Sequence, residues 1–311
     1  MTLLSPRCVS ALVIQLAFLL LFAVVVAHSF SLSSTYGSSA VRSLKPSTID
    51  SDLQLLSFYH FVDISNPEII RDELFEDLLQ IHGLRGTVYV ASEGINAQFA
   101  VPVGDLQLLL DTFGEEGSLP FNAFERNPPN IGDVVESSVS TFDRLIVRTR
   151  DNILRDGIQL GGELNLDWSD AGTELDAKEW HEQLQQPNIQ LFDCRNDYES
   201  DKGTFLSAQP LGTKTFSETW SVLEDKVNSD SINPEEPVYI YCTGGIRCVK
   251  VGSYLKNKLG VKDVRSLRHG IIGYERWVDA EKEESLWEGE NFLFDKRRFS
   301  KSDSESPGDM S

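Results

Sequence analysis

Tyr239-Ile-Tyr-Cys-Thr-Gly-Gly-Ile-Arg-Cys248 decides how the C-terminal half of this chain folds. The apolar, β-prone run Pro237-Val-Tyr-Ile-Tyr241 predicts a strand that ends at Cys242. Gly244 and Gly245 follow, and Arg247 stands five residues beyond the cysteine. Apolar residues at 251, 254, 255 and 259 then predict a helix over 249–259. A strand, a glycine turn and a helix start aim successive backbone N–H groups at one point, where the helix end adds partial positive charge. A cysteine placed there has a lowered pKa and stands as the nucleophilic thiolate. Cys242 is therefore the candidate nucleophile, cradled by Thr243, Gly244, Gly245, Ile246 and Arg247. Arg247 is too basic for proton transfer, so it positions an anionic donor or braces the loop. The bland alternative is a buried strand-end cysteine beside a surface arginine.

Working outward, Asp176 caps a helix over 177–185 with Trp180 and Leu184 on its apolar side. Strands are expected at Ile189–Asp193 and Asp263–Leu267, and a further helix over 273–283. Strands alternating with helices predict a parallel α/β sheet over residues 173–298, with Cys242 at the carboxyl end of a central strand. Asp193 and Arg195 read as a bracing ion pair beside the loop, or as an ordinary strand-end polar pair. Cys194 reads as structural. Cys248 reads as a core thiol, with resolution of an oxidised Cys242 as its alternative role. Trp277 and Trp287 read as packing groups.

Residues 53–150 predict a different domain. Strands at 53–61, 87–91, 96–101 and 145–149 alternate with helices at 67–82 and 106–113. The order βαββαβ is that of a ferredoxin-like split βαβ sandwich. Glu93-Gly-Ile-Asn96 reads as a tight hairpin around Gly94 or as part of an RNA surface. The glycine-containing segment 151–172 reads as a linker.

Across 311 residues the formal charge is −20. Residues 1–48 hold Arg7, Arg42 and Lys45 and no acid, so the rest carries 25 basic against 48 acidic side chains. Such a body repels nucleic acid on average, and an RNA partner needs a local basic patch. Arg144, Arg148 and Arg150 are the first candidates, then Arg265 and Arg268, with scattered solvated arginines as the alternative. The five histidines (28, 60, 82, 181, 269) show no metal-binding spacing, and no dinucleotide fingerprint is present. No metal and no cofactor are expected. The four cysteines have no C-x-x-C spacing, which predicts a reducing compartment rather than a disulfide framework.

Arg7 precedes an apolar run from Ala11 to Ala27, the pattern of a signal peptide over residues 1–30, with an uncleaved anchor as the alternative. Residues 31–48 are Ser/Thr-rich and free of acid, as in transit peptides. Together they predict plastid delivery, with the secretory pathway as the alternative, and no stable membrane insertion after processing. Residues 299–311 read as a disordered tail.

The C-terminal motifs resemble the rhodanese family: Asp193-Cys-Arg195-Asn-Asp-Tyr-Glu199, Gly203-Thr-Phe205, Cys242-Thr-Gly-Gly-Ile-Arg247 and Val264-x-x-Leu267-x-x-Gly270-x-x-x-Tyr274. A cysteine and arginine separated by four residues give the loop length of sulfur-handling rhodaneses. The related phosphatase loop is one residue longer. With Arg85-Gly-Thr-Val-Tyr-Val-Ala-Ser-Glu93-Gly-Ile-Asn96 and Trp287-Glu-Gly-Glu-Asn-Phe-Leu-Phe-Asp295, the body over 53–298 resembles the tRNA uridine hydroxylase family. That resemblance implies an acylphosphatase-like domain joined to a rhodanese domain, a tRNA partner, and oxygen-dependent 5-hydroxylation of the wobble uridine through Cys242. His269 stands where the family has glycine. The loop alone equally fits a general sulfurtransferase that forms a persulfide on Cys242, with a sulfur donor and thiol acceptor as partners, or a non-catalytic sulfur-carrier or redox module.

Overall fold

Alternation along the strands and spacing along the helices build the N-terminal domain. The computed structural model describes residues 52–115, 117–139, 141–158 and 167–293. The leader segments 1–30 and 31–48, Gly161 and Gly162 of the connecting segment, and the tail 299–311 lie outside the described residues. Strand β1 (Leu53–Phe61) is followed by helix α1 (Pro67–Leu78), whose first turn accepts Pro67 because that N–H has no helical partner. Ile70, Leu74 and Leu78, four apart, put one buried stripe on α1. Each such side chain contributes roughly 1.5–3 kcal/mol. The helix stops at Leu78, short of the His82 that the sequence predicts; Leu79 to Gly83 form turns.

Strands β2 (Arg85–Ala91) and β3 (Gly94–Pro102) form a tight hairpin, then helix α2 runs Leu106–Phe113. Gly94 has φ +142°, and a Cβ there would lie 2.0 Å from the His60 carbonyl oxygen, so glycine is required where β3 passes β1. Two further strands complete the sheet: β4 (Asn130–Val135) and β5 (Leu145–Thr149). The order is β4-β1-β3-β2-β5. The ferredoxin-like arrangement stands, with one correction. The strand that closes the split βαβ beside β1 is β4, which the sequence reading does not include, while 145–149 adds a parallel strand beside β2 at the opposite edge. Helices α1 and α2 cover one face through Phe58, Leu74, Val88, Phe99 and Phe113.

The C-terminal domain begins with β6 (Thr173–Leu175) and helix α3 (Ala177–Leu184). Asp176 caps α3: its carboxylate accepts the Glu179 N–H at 2.8 Å, and the Glu179 carboxylate accepts the Asp176 N–H at 3.0 Å. Then follow β7 (Gln190–Asp193), α4 (Asp197–Ser200), β8 (Gly203–Phe205), β9 (Gln209–Pro210), α5 (Thr219–Asn228) and β10 (Val238–Tyr241). Helix α6 (Ile246–Asn257), β11 (Val264–Leu267), α7 (Gly270–Glu281) and β12 (Trp287–Gly289) complete the domain. The main sheet has the order β6-β11-β10-β7-β9 and all its pairings are parallel. Fully buried β10 lies at its centre between two apolar clusters, one around Tyr254 and Val251, the other around Trp180 and Tyr274. Strands β8 and β12 form a separate antiparallel pair.

The described part of the connecting segment packs into both domains. Ile153 and Asp156 are buried, and the Trp220 indole donates to the Asp156 carbonyl at 2.7 Å. Glu93, from the β2–β3 hairpin, accepts the Ile153 N–H at 2.8 Å and two bonds from Lys250 of α6, each at 2.8 Å. Asp156 also pairs with Lys250. The Glu93 side chain therefore joins the domains from within and is not part of an exposed RNA surface. No helix among the described residues is long and apolar enough to cross a membrane.

Candidate active site at the Cys242 loop

Cys242 follows β10 directly and is fully buried at the floor of a cleft. The Gly245 N–H donates to its Sγ at 3.1 Å. Gly245 takes φ +93°, which turns the chain back over the sulfur; a Cβ there would sit 2.9 Å from the Tyr59 hydroxyl of β1. Helix α6 begins at Ile246, three residues before the sequence-predicted start, so Arg247 and Cys248 occupy its first turn. The two glycines hide that start from an apolar-spacing reading. The beginning of α7 ties the loop down: the Ile271 and Ile272 N–H groups donate to the Cys242 and Thr243 carbonyls, each at 3.1 Å. His269, just before α7, has φ +59°, a left-handed conformation that glycine adopts most readily and histidine tolerates.

Arg247 points inward. Its guanidinium forms a two-pronged pair with Glu199 of α4, at 2.7 and 2.8 Å, and donates to the Thr243 hydroxyl at 3.0 Å. Thr243 in turn donates to Glu199 at 3.0 Å. This closed arrangement makes Arg247 a brace of the loop. Glu199 has no role in the sequence reading. The signal for it is the Asn196-x-x-Glu199 capping box together with the charge balance that a buried arginine demands.

Asp193 and Arg195 form a buried two-pronged pair, with Arg195 Nη2 to Asp193 Oδ2 at 2.6 Å and Nε to Oδ1 at 2.9 Å. Arg195 also donates to the Glu199 carbonyl at 3.3 Å, which ties α4 to the end of β7, and to the Gly203 carbonyl of β8 at 2.6 Å, and it lies 4.9 Å over the Trp287 ring. Cys248 is buried in the same apolar cluster as Cys242 and Cys194.

These contacts set the charge at the sulfur. Burial pushes the Cys242 thiol up. The Cys248 thiol, the Arg247 guanidinium and the Arg247 and Gly245 N–H groups outweigh it and bring the pKa down to about 6. Cys248 goes the other way: burial, Cys194 and Cys242 all push its thiol up. Burial, then Glu174, Cys242 and Cys248, raise the Tyr59 phenol, which stays a neutral donor.

The cleft holds about 880 Å³. Cys242, Thr243 and Gly244 form its floor, and Tyr59, Tyr89, Asn96 and Gln98 of the N-terminal sheet form its roof. Of the arginines singled out in the sequence, Arg150 lines it. Arg265 instead pairs with Asp263, and Arg268 lies 3.8 Å from Glu174. Arg155, Lys214 and Arg276 also line the cleft; sequence reasoning did not select them, because tertiary folding alone gathers them.

Residues 53–153 match the UPF0176 acylphosphatase like domain, and residues 176–279 match the Rhodanese-like domain. A tRNA uridine(34) hydroxylase of Legionella pneumophila (strain Corby) is 33% identical over 248 residues, covering 79% of this chain and 89% of that protein. One from Leptospira interrogans (serogroup Icterohaemorrhagiae serovar Lai, strain 56601) is 33% identical over 245 residues, covering 78% of this chain and 62% of the longer relative. The protein so named in Agrobacterium fabrum (strain C58 / ATCC 33970) is 32% identical over 249 residues, 80% of this chain and 73% of that one. With both domains matched in order and a shared length that spans them, this chain belongs to the tRNA uridine(34) hydroxylase family.

Proposed function

We propose that this protein hydroxylates carbon 5 of the uridine at position 34 of tRNA, with Cys242 as the nucleophile. One observation carries the reading: the cysteine of the rhodanese loop, its Sγ accepting the Gly245 N–H at 3.1 Å, faces, across a single cleft, the sheet of the domain that the hydroxylase relatives share. Addition of the thiolate to C6 of uracil forms a C6–S bond and makes C5 electron-rich. Dioxygen supplies one oxygen atom to C5, and an external two-electron donor reduces the other to water. Loss of the C5 proton with cleavage of the C6–S bond returns the thiolate and leaves the 5-hydroxyl. The N–H groups at Gly245 and Arg247 hold the sulfur in its anionic form before and after. Arg247, occupied by Glu199, keeps the loop in shape and leaves substrate contacts to the cleft walls. The test replaces Cys242 by Ala and measures 5-hydroxyuridine in tRNA from the compartment where the protein resides. Undiminished modification would sink the reading.

A second reading, transfer of a sulfane sulfur through a Cys242 persulfide, is favoured by the same N–H cradle, which suits a terminal sulfur anion. Intact-mass detection of one added sulfur after treatment with thiosulfate or a protein persulfide supports it; absence with several donors rejects it. Delivery to a plastid through residues 1–48 also stands as a proposal, motivated by the apolar and Ser/Thr-rich leader. Imaging of the tagged full chain tests it, and an extracellular signal would reject it.

A further inference from the structure

The free face of the N-terminal sheet carries groups that the cysteine loop does not use. Side chains on β1, β3 and β2 alternate. Phe58, Val88, Ala97 and Phe99 are buried on the helix side, and the opposite set lines the cleft. The strand register puts Tyr59, Asn96 and Tyr89 in one row across the three strands, and Ser57, Gln98 and Thr87 in the next. Tyr59 stands over the Cys242 loop, its hydroxyl 2.9 Å from where a Gly245 Cβ would be. At the far end of the row the exposed Arg150 places its guanidinium 4.9 Å above the Tyr89 ring. Between them, Asn96 donates from Nδ2 to the Ile153 carbonyl at 3.2 Å, which orients its amide.

We infer that this face is a platform for single-stranded, uridine-containing RNA. It seats the target uridine beside Tyr59 and Cys242, reads pyrimidine edges with the Asn96 and Gln98 amides, and stacks the neighbouring base on the Tyr89–Arg150 pair. The inference rests on the tRNA reading above and adds to it which surface takes the RNA. Sequence-specific RNA recognition works mainly on unpaired bases, which stack on aromatic rings or guanidinium planes and offer their Watson–Crick edges. Four-stranded sheets that present aromatic side chains on their open face do this in common RNA modules. Uracil offers N3–H and O4 side by side, and a carboxamide matches both. The cleft volume of about 880 Å³ lies within the range of roughly 300–1,000 Å³ usual for ligand sites.

The test uses the purified full chain and 3′-fluorescein heptauridylate, read by anisotropy, with heptaadenylate as competitor. Tyr89→Ala weakens binding about fivefold or more, the range that loss of one stacked base spans, and Tyr89→Phe restores it. Gln98→Ala narrows the preference for uridine over adenosine. In parallel, Tyr89→Ala raises KM for unmodified tRNA more than it lowers kcat. The inference is overturned if the wild type shows no preference for heptauridylate, or if Tyr89→Ala binds and turns over as the wild type does. Should Tyr89→Ala melt early, the half-buried polar Gln98 decides: unchanged discrimination in Gln98→Ala overturns the inference. Uridine-selective binding that the variants abolish, with no 5-hydroxyuridine formed by the wild type, leaves the platform standing and removes the hydroxylase reading instead.

Discussion

Replacing Glu199 by Gln tests whether the loop is held by a buried charge pair. Glu199 is fully buried and accepts from both Arg247 nitrogens (2.7 and 2.8 Å), from the Thr243 hydroxyl (3.0 Å) and from the Asn196 N–H (3.2 Å). Glutamine keeps one acceptor oxygen and turns an NH2 group toward a donor. It leaves the Arg247 cation buried without its counter-charge. Removing one partner of such a pair costs about 3–5 kcal/mol, a large share of the roughly 5–15 kcal/mol that holds a domain folded. At ~2–4 °C per kcal/mol for a body of this size, the melting temperature falls by roughly 6–20 °C. The loss depends on pH. Burial pushes the Glu199 carboxyl up, but Arg247 outweighs it and the folded pKa lies below the ordinary 4.5. A carboxyl depressed on folding stabilises above its unfolded pKa and loses that contribution as pH falls through the folded value. The gap between wild type and Glu199→Gln is therefore full above about pH 4.5 and closes in stronger acid. Differential scanning fluorimetry from neutral pH downward reads both effects. Equal melting temperatures at neutral pH would refute the brace.

Cys248→Ala removes a thiol that helps hold the Cys242 anion, so the Cys242 pKa rises above about 6; ultraviolet thiolate absorbance against pH reads it, and an unmoved titration rejects that role for Cys248. Lys250→Met strands the Glu93 and Asp156 carboxylates between the domains and costs about 3–5 kcal/mol. Glu93→Gln costs less, because burial already raises the Glu93 pKa and the change relieves one of two buried negative charges. Urea unfolding of both variants checks the order, and a larger loss in Glu93→Gln contradicts it.

Local patterns exposed most of the fold and only part of the site. Helix α2 spans the stripe Leu106–Phe113 that apolar spacing predicts, and the Asp176 cap is a three-residue motif that needs no tertiary information. Strand β4 escaped because Gly132 and Asp133 interrupt it and none of its residues is fully buried. It is held instead by β1 and by the Gln54 amide, which donates to the Asp133 carbonyl at 3.4 Å. Cys242 was legible because strand, turn and helix are contiguous. Its partners were not. Glu199 lies 48 residues before Arg247, and Glu93 lies 157 before Lys250. Glu93 looked like a hairpin residue because the lysine that it meets belongs to the other domain. Tyr59 looked like one more strand aromatic until the β1–β3 register and the Gly245 turn brought its hydroxyl over the loop.

A chain of net charge −20 that binds RNA must do so with little help from phosphate attraction. Apart from the Arg247–Glu199 pair, Arg150, Arg155, Lys214 and Arg276 line the cleft, and Asp133, Glu275 and Asp279 line it too. Four cations against three carboxylates leave the local field weakly positive inside an acidic body. Binding there has to come from stacking and base-edge contacts, which salt does not screen. For single strands the logarithm of affinity falls with the logarithm of salt by about 0.7 per phosphate neutralised. One or two net phosphate contacts on this platform give a slope near −1, whereas a protein that clamps six phosphates gives about −4. Heptauridylate affinity measured across a salt series distinguishes the two. A steep slope would mean that the RNA lies on a basic surface elsewhere and that the sheet face is not its platform.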